Sequence, residues 1–191
     1  MQKSLWVVTL LFVAIAAPLA RAGDISYNVN FTVGAGSVNG FIQTNGAVGT
    51  LSVGDIVSWN LLLNDGVSTF DLMGTSNSVV DIVGTSLSAT ATDLFFNFSN
   101  ATGDVVDFQN PFIHSGINFL CFEGTAGGCS GNPSSINLLV NLEDTIQVLP
   151  EQGNQIVGIA GTSETPEPSS LLLFGTSLLG LAPFRRKLFG R

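Results

Sequence analysis

The chain has 191 residues, six of them Lys or Arg and fourteen Asp or Glu, for a formal net charge of -8 at pH 7. All the cationic side chains fall in residues 1–22 and 185–191, so residues 23–168 hold every carboxylate and no Lys or Arg. Such a segment repels phosphate backbones, which excludes nucleic acid as a partner, and it lacks the side-chain cation that clamps a phosphoryl group or polarises an oxyanion.

In chain order, Lys3 supplies a positive start, Leu5 to Ile15 an apolar run, and Ala20-Arg21-Ala22 a small-x-small cleavage site before Gly23. Together they predict a helical secretory signal peptide over residues 1–22, cut after Ala22. From Ile25 the period becomes two: Ile25, Tyr27, Val29, Phe31 and Val33 alternate with polar residues, as a strand with one buried face requires. Ser37 to Thr44 predicts a second strand, ending at the Asn45-Gly46 turn signal. Asp55 to Leu63 puts Val57, Trp59, Leu61 and Leu63 on one face. Asn64-Asp65-Gly66 then leads into Val67 to Leu72, which predicts a hairpin with Asp-Gly in a type I′ turn.

Short β-prone segments continue from Ser78, Ser86, Asp93, Val105, Ile117, Ile136, Thr145 and Gln155, separated by Gly, Asn, Asp, Ser and Pro. No stretch keeps a helical repeat for three turns. The expectation for residues 23–160 is a single all-β extracytoplasmic domain, an antiparallel β-sandwich or jelly-roll-like pair of sheets. A membrane β-barrel is the competing architecture, but one Trp and one Tyr in this part are too few for aromatic girdles. In Leu94-Phe-Phe-Asn-Phe98 the same period turns Leu94, Phe96 and Phe98 inward and Phe95 outward.

The chemical inventory is thin. Cys121 and Cys129 bracket a short Gly-rich loop, and in an oxidising compartment an isolated pair at this spacing forms one local disulfide. With a single His, this pair cannot complete a tetrahedral zinc shell, so no metal site is expected from it. His114 lies in the loop-like Asn110-Pro-Phe-Ile-His-Ser-Gly116, where it reads as a loop residue rather than a general base, and no Gly-x-Ser-x-Gly elbow occurs in residues 23–168. Carboxylate candidates for glycoside hydrolysis are Asp104, Asp107, Glu123, Glu143 and Asp144, each read more simply as a turn or surface residue. Asn64-Asp65-Gly66 and Asp104-Val-Val-Asp107 offer oxygens to Ca²⁺ but fit no EF-hand, so no cofactor is expected beyond that weak Ca²⁺ option.

The last residues form a three-part tail. Thr165-Pro-Glu-Pro-Ser-Ser170 is an extended, Pro-fixed stretch within a linker over residues 161–170. An uncharged apolar run follows to Phe184, and then the basic tail of residues 185–191 with Arg185-Arg186-Lys187 at its head. As a helix, residues 170–184 would reach roughly 22 Å, short of a hydrocarbon core of about 30 Å. The basic stop leaves the preceding chain on the far side of the membrane.

Pro166-Glu167-Pro168, the Leu-rich run with Gly175 and Gly180, and Arg185-Arg186-Lys187 resemble the PEP-CTERM sorting signal of bacterial proteins handled by exosortases. The resemblance covers residues 165–191. It implies export, transient retention in the inner membrane by a short transmembrane helix, and processing near Pro-Glu-Pro by an exosortase in an exopolysaccharide-making bacterium. Pro183 departs slightly from that pattern, since it ends or kinks the helix before the basic cluster. An ordinary single-pass anchor on a Pro-rich stalk is the plain alternative. The resulting expectation is a non-catalytic envelope or matrix protein at the cell surface or in the exopolysaccharide. A carbohydrate- or calcium-binding lectin-like module stands as the alternative.

Overall fold

The computed structural model describes residues 23–100, 103–126, 128–129, 133–142, 145–148 and 152–161. The chain divides into two units, residues 1–161 and 162–191, and every described residue belongs to the first. The expected signal peptide, nearly all of the linker, and the transmembrane segment therefore lie outside the described residues. Among the described residues no helix is long and apolar enough to cross a membrane.

The alternating sequence folds into two antiparallel sheets. The larger runs, edge to edge, through β3 (Gly49–Thr50), β7 (Leu87–Ala89), β8 (Asp93–Asn97), β13 (Asn154–Ala160), β1 (Ile25–Val33), β2 (Gly36–Thr44), β4 (Ile56–Asn64) and β5 (Thr69–Met73). The smaller runs through β12 (Ile146–Val148), β11 (Ser135–Leu139), β10 (Asn118–Glu123), β9 (Val105–Asn110) and β6 (Val79–Val83). One hydrophobic core joins them: Tyr27, Val29, Leu61 and Phe96 of the larger sheet meet Val106, Phe108, Leu120, Phe122 and Leu138 of the smaller. Trp59 meets Phe108 edge-on at 5.6 Å between ring centroids, and Phe31 meets Phe122 at 5.9 Å. Each such side chain removed from water contributes roughly 1.5–3 kcal/mol, so the cross-sheet aromatics hold the layers together. Leu94, Phe96 and Phe98 are fully buried and Phe95 is half-buried, as their period of two predicts.

Two local expectations are corrected. Gln43 pairs with Ser58 but Thr44 pairs with Ile56, so Val57 is an extra residue in a β-bulge. The bulge flips the side-chain parity: Ile56 turns into the core and Val57 is 44% exposed instead of sharing the Trp59 face. The β4–β5 hairpin forms, but Asn64 pairs with Thr69 and leaves four residues in the loop. A type I′ turn needs positive φ at both central residues, and within this loop only Gly66, at 95°, has it. The Asp65 side chain builds the loop instead, its Oδ1 accepting the N–H groups of Val67 and Ser68 at 2.7 and 2.5 Å. Finally, Gly74–Asn77, part of the break between the β-prone segments ending at Leu72 and starting at Ser78, forms a single helical turn.

The last strand is also placed by tertiary structure. β13 lies between β8 and β1, Ala160 pairs with Tyr27, and the Gly161 N–H donates to the Ser26 carbonyl at 2.9 Å. Residue 161 and the residues that open β1 therefore leave the sheet side by side.

Candidate functional site

The outward face of the smaller sheet carries most of the polar chemistry. Every residue of β10 is buried: Leu120 and Phe122 face the shared core, while Phe119 and Cys121 pack outward with Leu139 and Cys129. The disulfide Cys121–Cys129 is present, with 6.4 Å between Cα atoms. Because both sulfurs are bonded to each other, Cys121, Glu123 and Cys129, though clustered within 4.8 Å, offer no thiolate to a metal.

Glu123 is 0% exposed, not a surface residue as its sequence context suggests. It accepts the Asn137 side-chain amide at 3.1 Å and the backbone N–H of Gly128, which holds the disulfide loop onto the sheet. Asn137 also donates to Ser135 Oγ at 2.8 Å, and the Gln147 amide reaches Asn137 Oδ1. Cross-strand register assembles this row, since Glu123 opposes Ser135 and Asn137 opposes Gln147. A buried carboxylate survives in such a place only when hydrogen bonds replace its water.

β6, β9, the loop after β9, Phe119 of β10 and the disulfide loop at Gly128 and Cys129 line an open groove of about 430 Å³. In β9 the period of two sends Val106 and Phe108 to the core and leaves Val105, Asp107 and Gln109 in the groove. In β6 it leaves Asp81 and Val83 there, and Asp81 stands directly opposite Asp107 in the antiparallel register. Asp107 is only 8% exposed, and its buried Oδ1 has no hydrogen-bond partner among the described residues. Burial, and secondarily the charge of Asp81, push its pKa up to about 7. The loop wall is fixed from β9 itself, because Gln109 Oε1 accepts the backbone N–H of His114 at 2.5 Å. His114 is exposed on that loop with φ of 65°, a loop residue as expected.

The remaining predicted residues do not gather here. Asp104 is buried, but its carboxylate accepts Thr85 N–H at 2.9 Å, Ser86 Oγ at 2.7 Å and Asn100 Nδ2 at 2.7 Å, and it does not line the groove. Asp104 and Asp107 thus fail to form the oxygen pair their sequence spacing suggests. At Asn64-Asp65-Gly66, Asn64 Oδ1 accepts Gly66 N–H at 2.7 Å and Asp65 Oδ1 accepts the Ser68 and Val67 N–H groups, bonds that hold the Asp65 carboxyl below its usual range, while its buried Oδ2 has no hydrogen-bond partner among the described residues. Asp81, which the sequence analysis passed over, is the true partner of Asp107. It stands mid-strand in Val79-Val-Asp-Ile-Val83 and shares its side of the strand with Val79 and Val83, so no alternation of polar and apolar residues marks it.

Glu143 and Asp144 lie outside the described residues, as do Ala20, Ala22, Pro166, Glu167, Pro168, Arg185, Arg186 and Lys187. For the tail, comparison with known families is direct: residues 164–187 match the model of the PEP-CTERM protein-sorting motif. That span takes in Pro-Glu-Pro, the apolar run and Arg185-Arg186-Lys187. No curated protein and no solved structure matches the chain. The C-terminal tail of this protein is a PEP-CTERM protein-sorting motif, the mark of an extracellular protein handled by an exosortase.

Proposed function

We propose that this chain is a non-catalytic β-sandwich protein of the cell surface or extracellular matrix, associated with exopolysaccharide and delivered there by its tail. Cleavage after Ala22 frees the N-terminus, and residues 170–184 with the Arg185-Arg186-Lys187 stop hold the exported chain at the inner membrane. An exosortase then cuts near Pro166-Glu167-Pro168. The observation that carries this reading is the sorting-motif match at residues 164–187 behind an acidic, mostly β domain. A short span suits a temporary hold, since an apolar stretch well under the hydrocarbon thickness is a poor permanent anchor. The absence of catalysis is supported by the lone His standing exposed on a loop and by the lack of any Lys or Arg over residues 23–168.

The test is intact-mass spectrometry of the surface and secreted fractions from cells with and without their exosortase. The expected species starts at Gly23 and lacks the residues beyond about Pro168, and in the exosortase deletion the tail persists. An intact Arg191 in the wild-type surface fraction overturns the reading.

A further inference from the structure

Asp81 and Asp107 are directly opposed on β6 and β9, and directly opposed side chains lie with Cβ atoms about 4.5–5.5 Å apart. Like charges at that distance destabilise a strand pair. Here one of them is also nine-tenths buried, with an oxygen that no group among the described residues satisfies. A carboxylate in that position costs free energy unless a cation or donor faces it. No Lys or Arg exists in residues 23–168 to do so.

The geometry points to a divalent-cation site in the groove, with Asp81 and Asp107 as its two protein carboxylates and Ca²⁺ as the ion it fits. Ca²⁺ takes six to eight oxygens at roughly 2.3–2.6 Å in flexible geometry, and two carboxylates supply two to four of them. Gln109 is committed to the His114 N–H, so the remaining oxygens come from water, for which a groove of about 430 Å³ has room. The donor set is hard: among the described residues no His or Cys joins Asp81 and Asp107 in a three-ligand cluster, which disfavours zinc and copper. The ion would neutralise the opposed pair, satisfy the buried oxygen and tie β6 to β9. This inference is independent of the tail, because both ligands lie in the folded domain.

The test uses the full-length chain in detergent micelles, stripped with chelator and titrated with CaCl2 by calorimetry at pH 8, alongside Asp81→Asn, Asp107→Asn and the exposed control Asp71→Asn. The expected result is one Ca²⁺ per chain, affinity reduced at least tenfold in each groove variant, and wild-type affinity in Asp71→Asn. A Ca²⁺-induced rise in Tm that both groove variants lose is the second readout. Asp81 is only half-buried, so its variant decides the matter if Asp107→Asn does not fold. Silence in both readouts up to about 10 mM CaCl2, beyond the range of weak extracellular sites, overturns the proposal. So does wild-type affinity in a folded Asp81→Asn. Failure here leaves the sorting of the tail untouched, and failure of exosortase processing leaves this site untouched.

Discussion

Asp107 carries the clearest pH signature in the molecule. Its pKa is raised from 3.8 to about 7 by burial and by Asp81, so between about pH 4 and 7 the folded state keeps a proton that the unfolded chain has released. Its contribution to stability is therefore complete below about pH 4 and is lost as pH rises through about 7, with an upper bound of about 4 kcal/mol. Asp55 has the opposite sign: bonds from the Ser52 N–H and Oγ and from Asn45 hold its carboxyl below the ordinary value, so its contribution is lost only in acid. In EDTA, urea unfolding of the wild type should show stability falling from pH 5 to 8, and Asp107→Asn should flatten that fall. An equal pH slope in the variant removes Asp107 as the cause. That a carboxylate stood at position 107 was legible from the sequence. Its burial and its partner were not, because both depend on which strand lies alongside β9.

At the scale of elements, period-two alternation predicted nearly every strand, since side-chain direction along a strand is a local property of the backbone. It failed at Val57 because a bulge is decided by two strands together: β2 and β4 each have their own register, and the extra residue absorbs the mismatch. The plain reading of Glu123 as a turn or surface residue also fails, although a carboxylate is ordinarily expected to be wet. Here the loop pinned by Cys121–Cys129 covers that face. The disulfide closes a short loop, so the chain-entropy account limits its stabilisation to about 2.5 kcal/mol. Replacing both cysteines, Cys121→Ser with Cys129→Ser, should lower the unfolding free energy from urea titration by no more than that amount while far-UV circular dichroism stays unchanged. Loss of the strand signal would instead make the disulfide a condition of folding rather than a clamp on one loop.

Across the whole domain, the two sheets depend on one another through a single core. Phe108 of the smaller sheet sits against Trp59 of the larger, whose indole N–H donates to Ser78 Oγ at 2.9 Å. Phe108→Ala should cost about 3–5 kcal/mol and shift one cooperative transition, read identically by Trp fluorescence and by circular dichroism. Two separated transitions would show that the sheets unfold independently. The same closure sets β13 beside β1, with Ala160 opposite Tyr27, an arrangement no local pattern announces.

By itself the amino-acid sequence determined the β character of residues 23–160, the acidic surface without Lys or Arg, the pairing of its only two cysteines, and the sorting motif of the tail. These rest on composition, short-range alternation and contiguous motifs, all of which are written along the chain. Only the tertiary structure decided that Asp81 faces Asp107 across a groove, that Asp104 turns to another network, and that Glu123 is buried. Strands distant in sequence become neighbours through burial of a common apolar core, and that choice is made by the whole set of strands rather than by any one of them.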